Sequence, residues 1–414
     1  MTDAGRYHLD NRIIDERTPG FEAMLRHAHA VRSRPVCLCT PDRPEMYLCA
    51  AGGRVFMKRM PGTGHLHDPS CVSFDAPETL TGRGRFANGA ISPDGDGGTR
   101  LMLDVPLSVR AAKAAEDDQE EGGQEDEDAG PDAGGAIKSR TRKLGLLGLL
   151  HYLWDEADLT KHRPDWTGKR SWSLVHRRLE EAGMRASLRG KPLSNHLFVP
   201  PPFRAEMKDD LDRERARFMA GLAARPGRTA ALGIVVGTLK RVDETALGRK
   251  IVLKHLPEFP LHCDTSMAGR FVDRFGDQIA MADSVPDGHF VVIATFLPKG
   301  NHGVIRTISG MGVTRQWIPF EDHEEVLLIK AQMSRSFTKC LHYDLGRQAP
   351  MASALLLDTD GPVAVFSPPA PLSDTTVRAF EDAAGAGPLQ SVVWWAGQTV
   401  QADLPPRRAG YRTA

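Results

Sequence analysis

The chain has 414 residues, and its 53 Lys and Arg residues balance 53 Asp and Glu residues, so the formal net charge is zero. A hydrophobic fraction of 41% and a charged fraction of 26% are ordinary for a folded protein and exclude wholesale disorder. The 6 cysteines are too few for a disulfide scaffold, and no apolar run is long enough to predict a membrane span. The N-terminus lacks the apolar region of a secretory signal, so we expect a cytoplasmic protein with reduced thiols and no membrane contact.

Length and composition predict an α+β multidomain protein. At about 100–200 residues per domain, the chain has room for two to four domains. The predicted parts are an N-terminal zinc-stabilised β-hairpin module at residues 1–112, an acidic disordered linker at 113–137, a winged-helix-like basic domain at 138–203, a mixed α/β C-terminal region at 204–404, and a flexible tail at 405–414.

The N-terminal module contains a cluster of cysteine and histidine residues. Cys37 and Cys39 are separated by one residue, and His67 and Cys71 by three. Two strand-like runs lie between these pairs and meet at Gly-Gly, a dipeptide typical of hairpin turns. A hairpin would bring the two pairs together, and zinc prefers four tetrahedral nitrogen or sulfur ligands. The pattern therefore predicts a structural Cys₃His zinc site.

Two further residues compete for this assignment. Cys49 lies in the middle of a predicted strand, where cysteine often serves as a small buried hydrophobic residue. His65 alternates with His67 and could replace it as a ligand. The alternative to a metal site is a set of reduced free thiols in a small β-domain.

Charge is segregated along the middle of the chain. Residues 116–132 contain ten carboxylates and no Lys or Arg, a composition that predicts a disordered linker. From residue 138 to 191, 13 Lys and Arg residues stand against 6 Asp and Glu residues. This contrast indicates DNA binding, with the acidic tract as a competing polyanion, or else a solvated linker beside a charged helical domain. In a protein-interaction scaffold, the acidic tract would be a docking segment for a protein partner.

The basic segment has the element order of a winged helix-turn-helix. Apolar spacing predicts helices at residues 143–159 and 168–182, and residues 184–199 predict a hairpin with a basic tip. In such domains the second helix enters the major groove and the hairpin contacts phosphates. The alternative is a module for protein contacts with solvated arginines. The candidate DNA contacts are Lys169, Arg170, Arg177, Arg178, Arg189 and Lys191.

The C-terminal region alternates predicted strands with predicted helices. Strand-like runs lie at residues 231–239, 250–256 and 289–297, and helical spacing occurs at 266–282 and 321–341.

Residues 321–396 predict helix, strand hairpin, helix and strand, an order that resembles a restriction-endonuclease-like fold. Its second hairpin strand is VAVFS, so the Glu-x-Lys that a magnesium-dependent nuclease needs is missing, and we expect a degenerate version of that fold. The carboxylates available for a metal are Glu321, Glu324, Glu325, Asp358 and Asp360.

Several stretches together resemble a bacterial family known as domain of unknown function 1173. They are RPVCLC at residues 34–39, YLC at 47–49, KRMPGTG at 58–64 followed by His67 and Cys71, and the segments 166–179 and 337–360. The resemblance extends over nearly the whole chain. It implies an association with plasmids and other mobile elements of proteobacteria, and it implies no defined activity.

Together these patterns predict a zinc-binding, DNA-associated accessory protein of a bacterial mobile element that is not an enzyme. The first alternative is a metal-dependent nuclease, or an inactive nuclease-like domain, in the C-terminal half. The second alternative is a scaffold for protein interactions.

Overall fold

The protein has an α+β fold in which helices pack between and around several sheets. The structure, a computed structural model, describes residues 5–60, 62–94, 98–109, 142–223, 230–246, 248–395 and 404–409. The predicted acidic linker at 113–137 and the end of the predicted tail lie outside the described residues. No helix in the described part combines the length and apolar character needed to cross a membrane.

In the first half of the chain, the described residues form short strands and three helices. Its elements are β1 (Tyr7–Leu9), β2 (Arg12–Ile14), α1 (Phe21–Ala30), β3 (Val36–Cys37), β4 (Met46–Ala51), β5 (Arg54–Arg59), β6 (Ile91–Pro93), β7 (Thr99–Leu101), β8 (Ser108–Val109), α2 (Leu146–Glu156), β9 (Lys161–His162), α3 (Trp172–Arg185), β10 (Ala186–Leu188), β11 (Lys191–Pro192) and β12 (Leu197–Phe198).

The second half has longer strands and a second set of helices. Its elements are α4 (Lys208–Leu222), β13 (Ala230–Ala231), β14 (Gly233–Thr245), β15 (Gly248–Leu253), β16 (Leu256–Cys263), α5 (Thr265–Ser284), β17 (His289–Lys299), β18 (His302–Val313), β19 (Pro319–Phe320), α6 (His323–Gln332), β20 (Phe337–Lys339), β21 (Ala354–Leu356), β22 (Val363–Phe366), α7 (Asp374–Ala386) and β23 (Gln390–Val393).

The N-terminal module is a three-stranded sheet, β2-β1-β3, beside the β4–β5 hairpin. The hairpin turns at Gly52 and Gly53, whose φ angles of 57° and 75° are readily accessible to glycine. A small core of Tyr7, Leu25 and Met46, with Cys37 at its edge, joins these strands to α1. The module thereby places the end of β3 close to the segment that follows β5.

The largest sheet closes into a barrel in the second half of the chain. The strands β14, β15, β16, β18 and β17 pair in that order, and β17 pairs back onto β14. Closure is tight, because a Cβ atom on Gly303 would lie 2.8 Å from Leu261 Cδ2 inside the barrel. Apolar residues on the outer surface of β14, β17 and β18 pack against α2 and α3 in one continuous core.

The C-terminal sheet has the strand order β23-β22-β21-β20-β9. The strands β20, β21 and β22 form an antiparallel meander, and β23 returns parallel to β22 after α7. The helix α6 precedes this meander. The sheet therefore carries on one edge the short strand β9 from the middle of the chain.

Strands pair across the predicted boundaries between the N-terminal, middle and C-terminal parts. β7 pairs with β10, β8 pairs with β13, β12 pairs with β14, and β9 pairs with β20. The N-terminal, middle and C-terminal parts therefore share sheets as well as cores.

Three predicted elements differ from the structure. The strand predicted at residues 250–256 is broken by a turn, because β15 ends at Leu253 and β16 begins at Leu256. The helix predicted at residues 321–341 ends at Gln332, because the chain turns and Phe337–Lys339 joins the sheet as a fully buried strand. The predicted wing hairpin is short, since only Lys191–Pro192 pairs with β10. Beyond it, Leu193–Asn195 forms a 3₁₀ turn that buries Leu193, and Leu197–Phe198 pairs with the barrel instead.

Candidate functional site

The strongest candidate site lies where β3 meets the segment after β5. Cys37 is the last residue of β3, and Cys39 follows it two residues later. His67 and Cys71 lie on a tight turn just after the 3₁₀ turn Gly64–Leu66. One ligand atom from each of the four side chains lies within 4.8 Å of the others, so this group could hold a metal ion.

Three of the six separations between the ligand atoms are close to the edges of a coordination tetrahedron. The Cys37 and Cys71 Sγ atoms are 3.7 Å apart. The Nδ1 atom of His67 is 3.3 Å from Cys39 Sγ and 3.9 Å from Cys71 Sγ. Zinc–sulfur bonds of about 2.3 Å and zinc–nitrogen bonds of about 2.0 Å predict sulfur–sulfur and sulfur–nitrogen edges of about 3.8 and 3.5 Å.

Backbone amides also point at the sulfur atoms. The N–H of Asp68 donates to Cys39 Sγ over 3.5 Å, and the N–H of Ser73 donates to Cys71 Sγ over 3.4 Å. Such donors stabilise negative charge on sulfur, which metal binding requires. Hydrogen bonds from Cys37 and Cys39, together with the Ser73 amide, lower the pKa of the Cys71 thiol to about 3, whereas hydrogen bonding to Cys39 raises the pKa of Cys37.

The turn that carries His67 and Cys71 is fixed both locally and from a distance. The carboxylate of Asp68 accepts hydrogen bonds from the Ser70 N–H and hydroxyl over 2.8 and 2.6 Å. The ammonium of Lys161, on β9, donates to the Val72 carbonyl over 2.8 Å. The cluster therefore connects the N-terminal module to the sheet that contains β9.

The two competing residues lie outside the cluster. Cys49 is buried in β4, and His65 is exposed on the 3₁₀ turn before His67. The imidazole of His67 is buried, and its Nε2 atom has no hydrogen-bond partner among the described residues, whereas Nδ1 lies beside the sulfurs. Of the two histidines, His67 is therefore the one that can supply the nitrogen ligand.

The predicted DNA contacts do not form one group. Lys169, Arg177, Arg178, Arg189 and Lys191 are exposed around α3 and the β10–β11 turn.

Arg170, by contrast, is committed to the interior of the protein. Its guanidinium donates to the carbonyls of Leu159 and Gln316 over 3.0 and 3.1 Å, and also to that of Lys161. Burial lowers the pKa of Arg170 to about 10. These hydrogen bonds link the segment before α3 to Gln316, which lies just after β18.

The carboxylates considered for a magnesium site are separated in the structure. Asp358 follows β21 at one end of the C-terminal sheet and pairs with Arg335 over 2.7 Å. Asp360 is exposed, and Glu324 is only partly buried on α6. Near the other end of the sheet, Glu325 of α6 is fully buried.

Glu325 belongs to a closed cluster of charges. Its carboxylate accepts from Lys339 Nζ over 2.7 Å, and the side chains of the pair are 0% and 1% exposed. Glu321 accepts from His342 Nδ1 over 2.8 Å. Burial alone would raise the pKa of Glu321, but His342 lowers it to about 2. Spacing did not reveal this cluster, because it predicted one helix over residues 321–341, whereas α6 ends at Gln332 and Lys339 lies on β20.

A cavity of about 240 Å³ lies between the metal-ligand cluster and the C-terminal sheet. Among the residues that line it, Lys58 and Arg83 form ion pairs with the Glu156 carboxylate over 2.5 and 2.9 Å. Burial and the nearby Asp75 raise the pKa of Asp155 to about 7, and the Tyr343 hydroxyl donates to this carboxyl over 2.7 Å. Asp155 can therefore exchange a proton near neutral pH.

The fold and the site define an α+β protein with a cysteine–histidine cluster that could hold a metal ion. A family model described as "Protein of unknown function (DUF1173)" matches residues 7–397, and the chain belongs to this family. Comparisons with curated proteins and with solved structures find no match.

Proposed function

We propose that Cys37, Cys39, His67 and Cys71 form a structural zinc site in a DNA-associated accessory protein that is not an enzyme. The observation that carries the metal assignment is the tetrahedral spacing of three sulfurs and one imidazole nitrogen. Thiolate and imidazole ligands suit zinc, and four protein ligands leave no open position for a substrate. Zinc would therefore hold β3 and the His67–Cys71 turn together.

A non-catalytic role is supported by the ion pairs that the carboxylates of the C-terminal region form with cations of the chain. Asp358 and Glu325 are each paired with a buried or nearly buried cation, Arg335 and Lys339. A magnesium-dependent nuclease needs carboxylates that converge on an accessible ion.

An inactive nuclease-like domain is the second candidate. It is favoured by the succession of α6, the β20–β22 meander, α7 and a parallel β23.

The proposed duplex-DNA contact is a winged-helix-like surface made of α3 and the β10–β11 turn. Its five exposed cations can neutralise phosphates, whereas Arg170 is excluded from the proposal by its hydrogen bonds to backbone carbonyls. A role in a mobile element and protein docking through the acidic segment stay predictions of the sequence.

Elemental analysis of the full-length chain, purified under reducing conditions, tests the zinc site. We expect about one zinc per chain, lost in both Cys37→Ser and His67→Ala. The matched controls are Cys49→Ala and His65→Ala, which remove a neighbouring cysteine and histidine outside the cluster. Zinc-free wild-type protein, or equal losses in the control variants, would contradict the assignment.

Fluorescence anisotropy with a 20-base-pair duplex tests the DNA contact. The variant Arg177→Ala/Arg178→Ala/Lys191→Ala removes three exposed cations. We expect roughly ten-fold weaker binding and a flatter dependence on salt, by about 0.9 in the log–log slope for each phosphate that is no longer neutralised. Wild-type binding that is absent, or insensitive to salt, would refute the proposed contact.

A further inference from the structure

The barrel has the strand connectivity of an OB-fold. Numbered along the chain, its strands β14 to β18 are the first to the fifth, and they pair in the order first, second, third, fifth, fourth and back to first. The third and fifth strands, β16 and β18, are parallel. The helix α5 connects the third strand to the fourth, β17. Barrels of this kind bind oligonucleotides or oligosaccharides on the surface of the second and third strands and on the adjoining loops.

One side of this barrel is already covered, and one end of the β15–β16 side is not. Ile234, Val291 and Met311 on the outer surface of β14, β17 and β18 are buried in the core shared with α2 and α3. On β15 and β16, by contrast, Lys250 and His262 are only partly buried, although both residues lie within strands. Farther along β16, Glu258 pairs with Lys208 of α4 over 2.8 Å, so the open part of the usual ligand surface is the end that carries Lys250 and His262.

Two turns frame this open surface at one end of the barrel. The β14–β15 turn ends at Gly248, and the next residue, Arg249, pairs with Cys263 at the end of β16. The β17–β18 turn lies between Lys299 and His302. Because the end of β16 pairs with the start of β18, the two turns lie on either side of the same strand end.

A row of cationic and aromatic side chains crosses the surface between these turns. Lys250 is the cross-strand partner of His262, and His262 pairs in turn with Val304 near the start of β18. The imidazole rings of His262 and His302 meet edge to face with centroids 5.1 Å apart. Lys299 is exposed at the tip of the neighbouring turn. Asp243 pairs with Lys250 over 3.3 Å and is itself held by Arg241 over 2.9 Å.

We infer that this surface, defined by Lys250, His262, Lys299 and His302, binds single-stranded DNA. Lysine ammonium groups bind phosphates as point charges, and imidazole rings provide planes on which unpaired bases stack. Burial, with His302 and Lys250 nearby, lowers the pKa of His262, so a neutral ring is available for stacking. The choice of DNA over RNA rests on the proposed DNA association, but the surface is separate from the duplex contact on α3.

Anisotropy of a fluorescent 20-nucleotide oligo-dT, titrated with full-length zinc-loaded protein at low salt, tests this inference. We expect saturable binding that weakens with salt. The variant Lys250→Ala/His262→Ala/His302→Ala should bind about ten-fold more weakly, and the single variant Lys299→Glu, on an exposed turn, about three-fold more weakly. The matched control is Arg213→Ala, which removes an exposed cation from α4 and should bind as wild type does.

The α3 variant Arg177→Ala/Arg178→Ala/Lys191→Ala separates the two surfaces. It should weaken duplex binding and leave oligo-dT binding unchanged, so that failure of either proposal is visible by itself. Zinc content and the melting temperature of each variant verify folding, and Lys299→Glu keeps the test valid where the triple variant is misfolded.

Three results would overturn the inference. The first is absence of oligo-dT binding by wild-type protein, and the second is oligo-dT binding that neither the triple variant nor Lys299→Glu weakens. The third is tighter binding of oligo-rU or of a neutral maltoheptaose competitor than of oligo-dT, which would assign the surface to RNA or to an oligosaccharide instead.

Discussion

Two regions of this protein hold polar groups in its interior, and they do so in opposite ways. In the N-terminal module, Cys37, Cys39, His67 and Cys71 bring four ligand atoms within 4.8 Å of one another. Below α6, Glu325 and Lys339 neutralise each other directly, with Glu321 bound to His342 beside them. The first group could hold a metal ion, whereas the second already contains its own cation.

The two clusters should therefore differ in whether their stability depends on a bound metal ion. Three sulfurs and an imidazole at tetrahedral spacing gain most of their stabilisation only when a metal joins them. A buried ion pair gains its stabilisation from the chain alone, and it becomes costly only when one partner is removed. Perturbing one region should therefore leave the other region largely unchanged.

The largest effect is expected from removing the metal ligands. Cys37→Ser, or treatment with a chelator, should destabilise the N-terminal module by more than about 3 kcal/mol, because structural zinc contributes directly to folding. Hydrogen exchange followed by mass spectrometry should show reduced protection across residues 36–75. Peptides from β20 to β22 should stay protected, and equal protection of residues 36–75 with and without the metal would contradict a metal-dependent module.

Breaking the buried ion pair should have the next largest effect. Lys339→Met leaves the buried Glu325 with only the more distant Arg347, 3.8 Å away, as a counter-charge, so the free energy of unfolding should fall by about 3 kcal/mol while zinc content stays the same. Chemical denaturation measures the change. The double variant Glu325→Leu/Lys339→Met should recover much of the lost stability. As a control, Arg315→Met breaks the exposed Arg315–Asp287 pair and should lower the free energy of unfolding by only about 0–1 kcal/mol. A Lys339→Met protein as stable as wild type would remove the contrast between the two regions.

The smallest effect concerns Asp155, which lies in the cavity between the two regions. Burial raises the pKa of this carboxyl from 3.8 to about 7, so the folded state favours the protonated form. Its contribution to stability is complete below pH about 4 and is lost as the pH rises to about 7. Asp155→Asn, which keeps an acceptor for Tyr343, should therefore be more stable than wild type at pH 8, by about 1 kcal/mol after allowance for solvent screening.

Thermal unfolding of both proteins at pH 5 and pH 8 measures this effect. The variant should lose less stability than wild type between the two values. Parallel losses would show that Asp155 titrates outside this range.

The metal-ligand cluster could be predicted from the sequence because its determinants are local. Cys37 and Cys39 are neighbours, His67 and Cys71 are within one turn of each other, and the Gly52-Gly53 hairpin brings the pairs together. The choice between His65 and His67 could not be made from spacing, since it depends on which imidazole the turn buries.

The barrel shows the limit of the same reasoning. Apolar runs predicted β14 and β17 as strands, but their pairing depends on contacts between residues far apart in the chain. Arg170 was predicted to contact DNA on charge alone. Its burial follows from carbonyl groups on two separate segments, which no local pattern reveals. The Glu325–Lys339 pair was missed for a similar reason, because α6 ends earlier than its spacing predicted.

X-ray absorption at the zinc edge, on full-length protein purified under reducing conditions, tests the central claim most directly. We expect one zinc per chain with three sulfur neighbours at about 2.3 Å and one nitrogen neighbour at about 2.0 Å. The spectrum of His67→Ala should lose the nitrogen contribution, and that of His65→Ala should match wild type. A shell of oxygen and nitrogen atoms without sulfur, or a spectrum unaffected by His67→Ala, would contradict a Cys₃His zinc site.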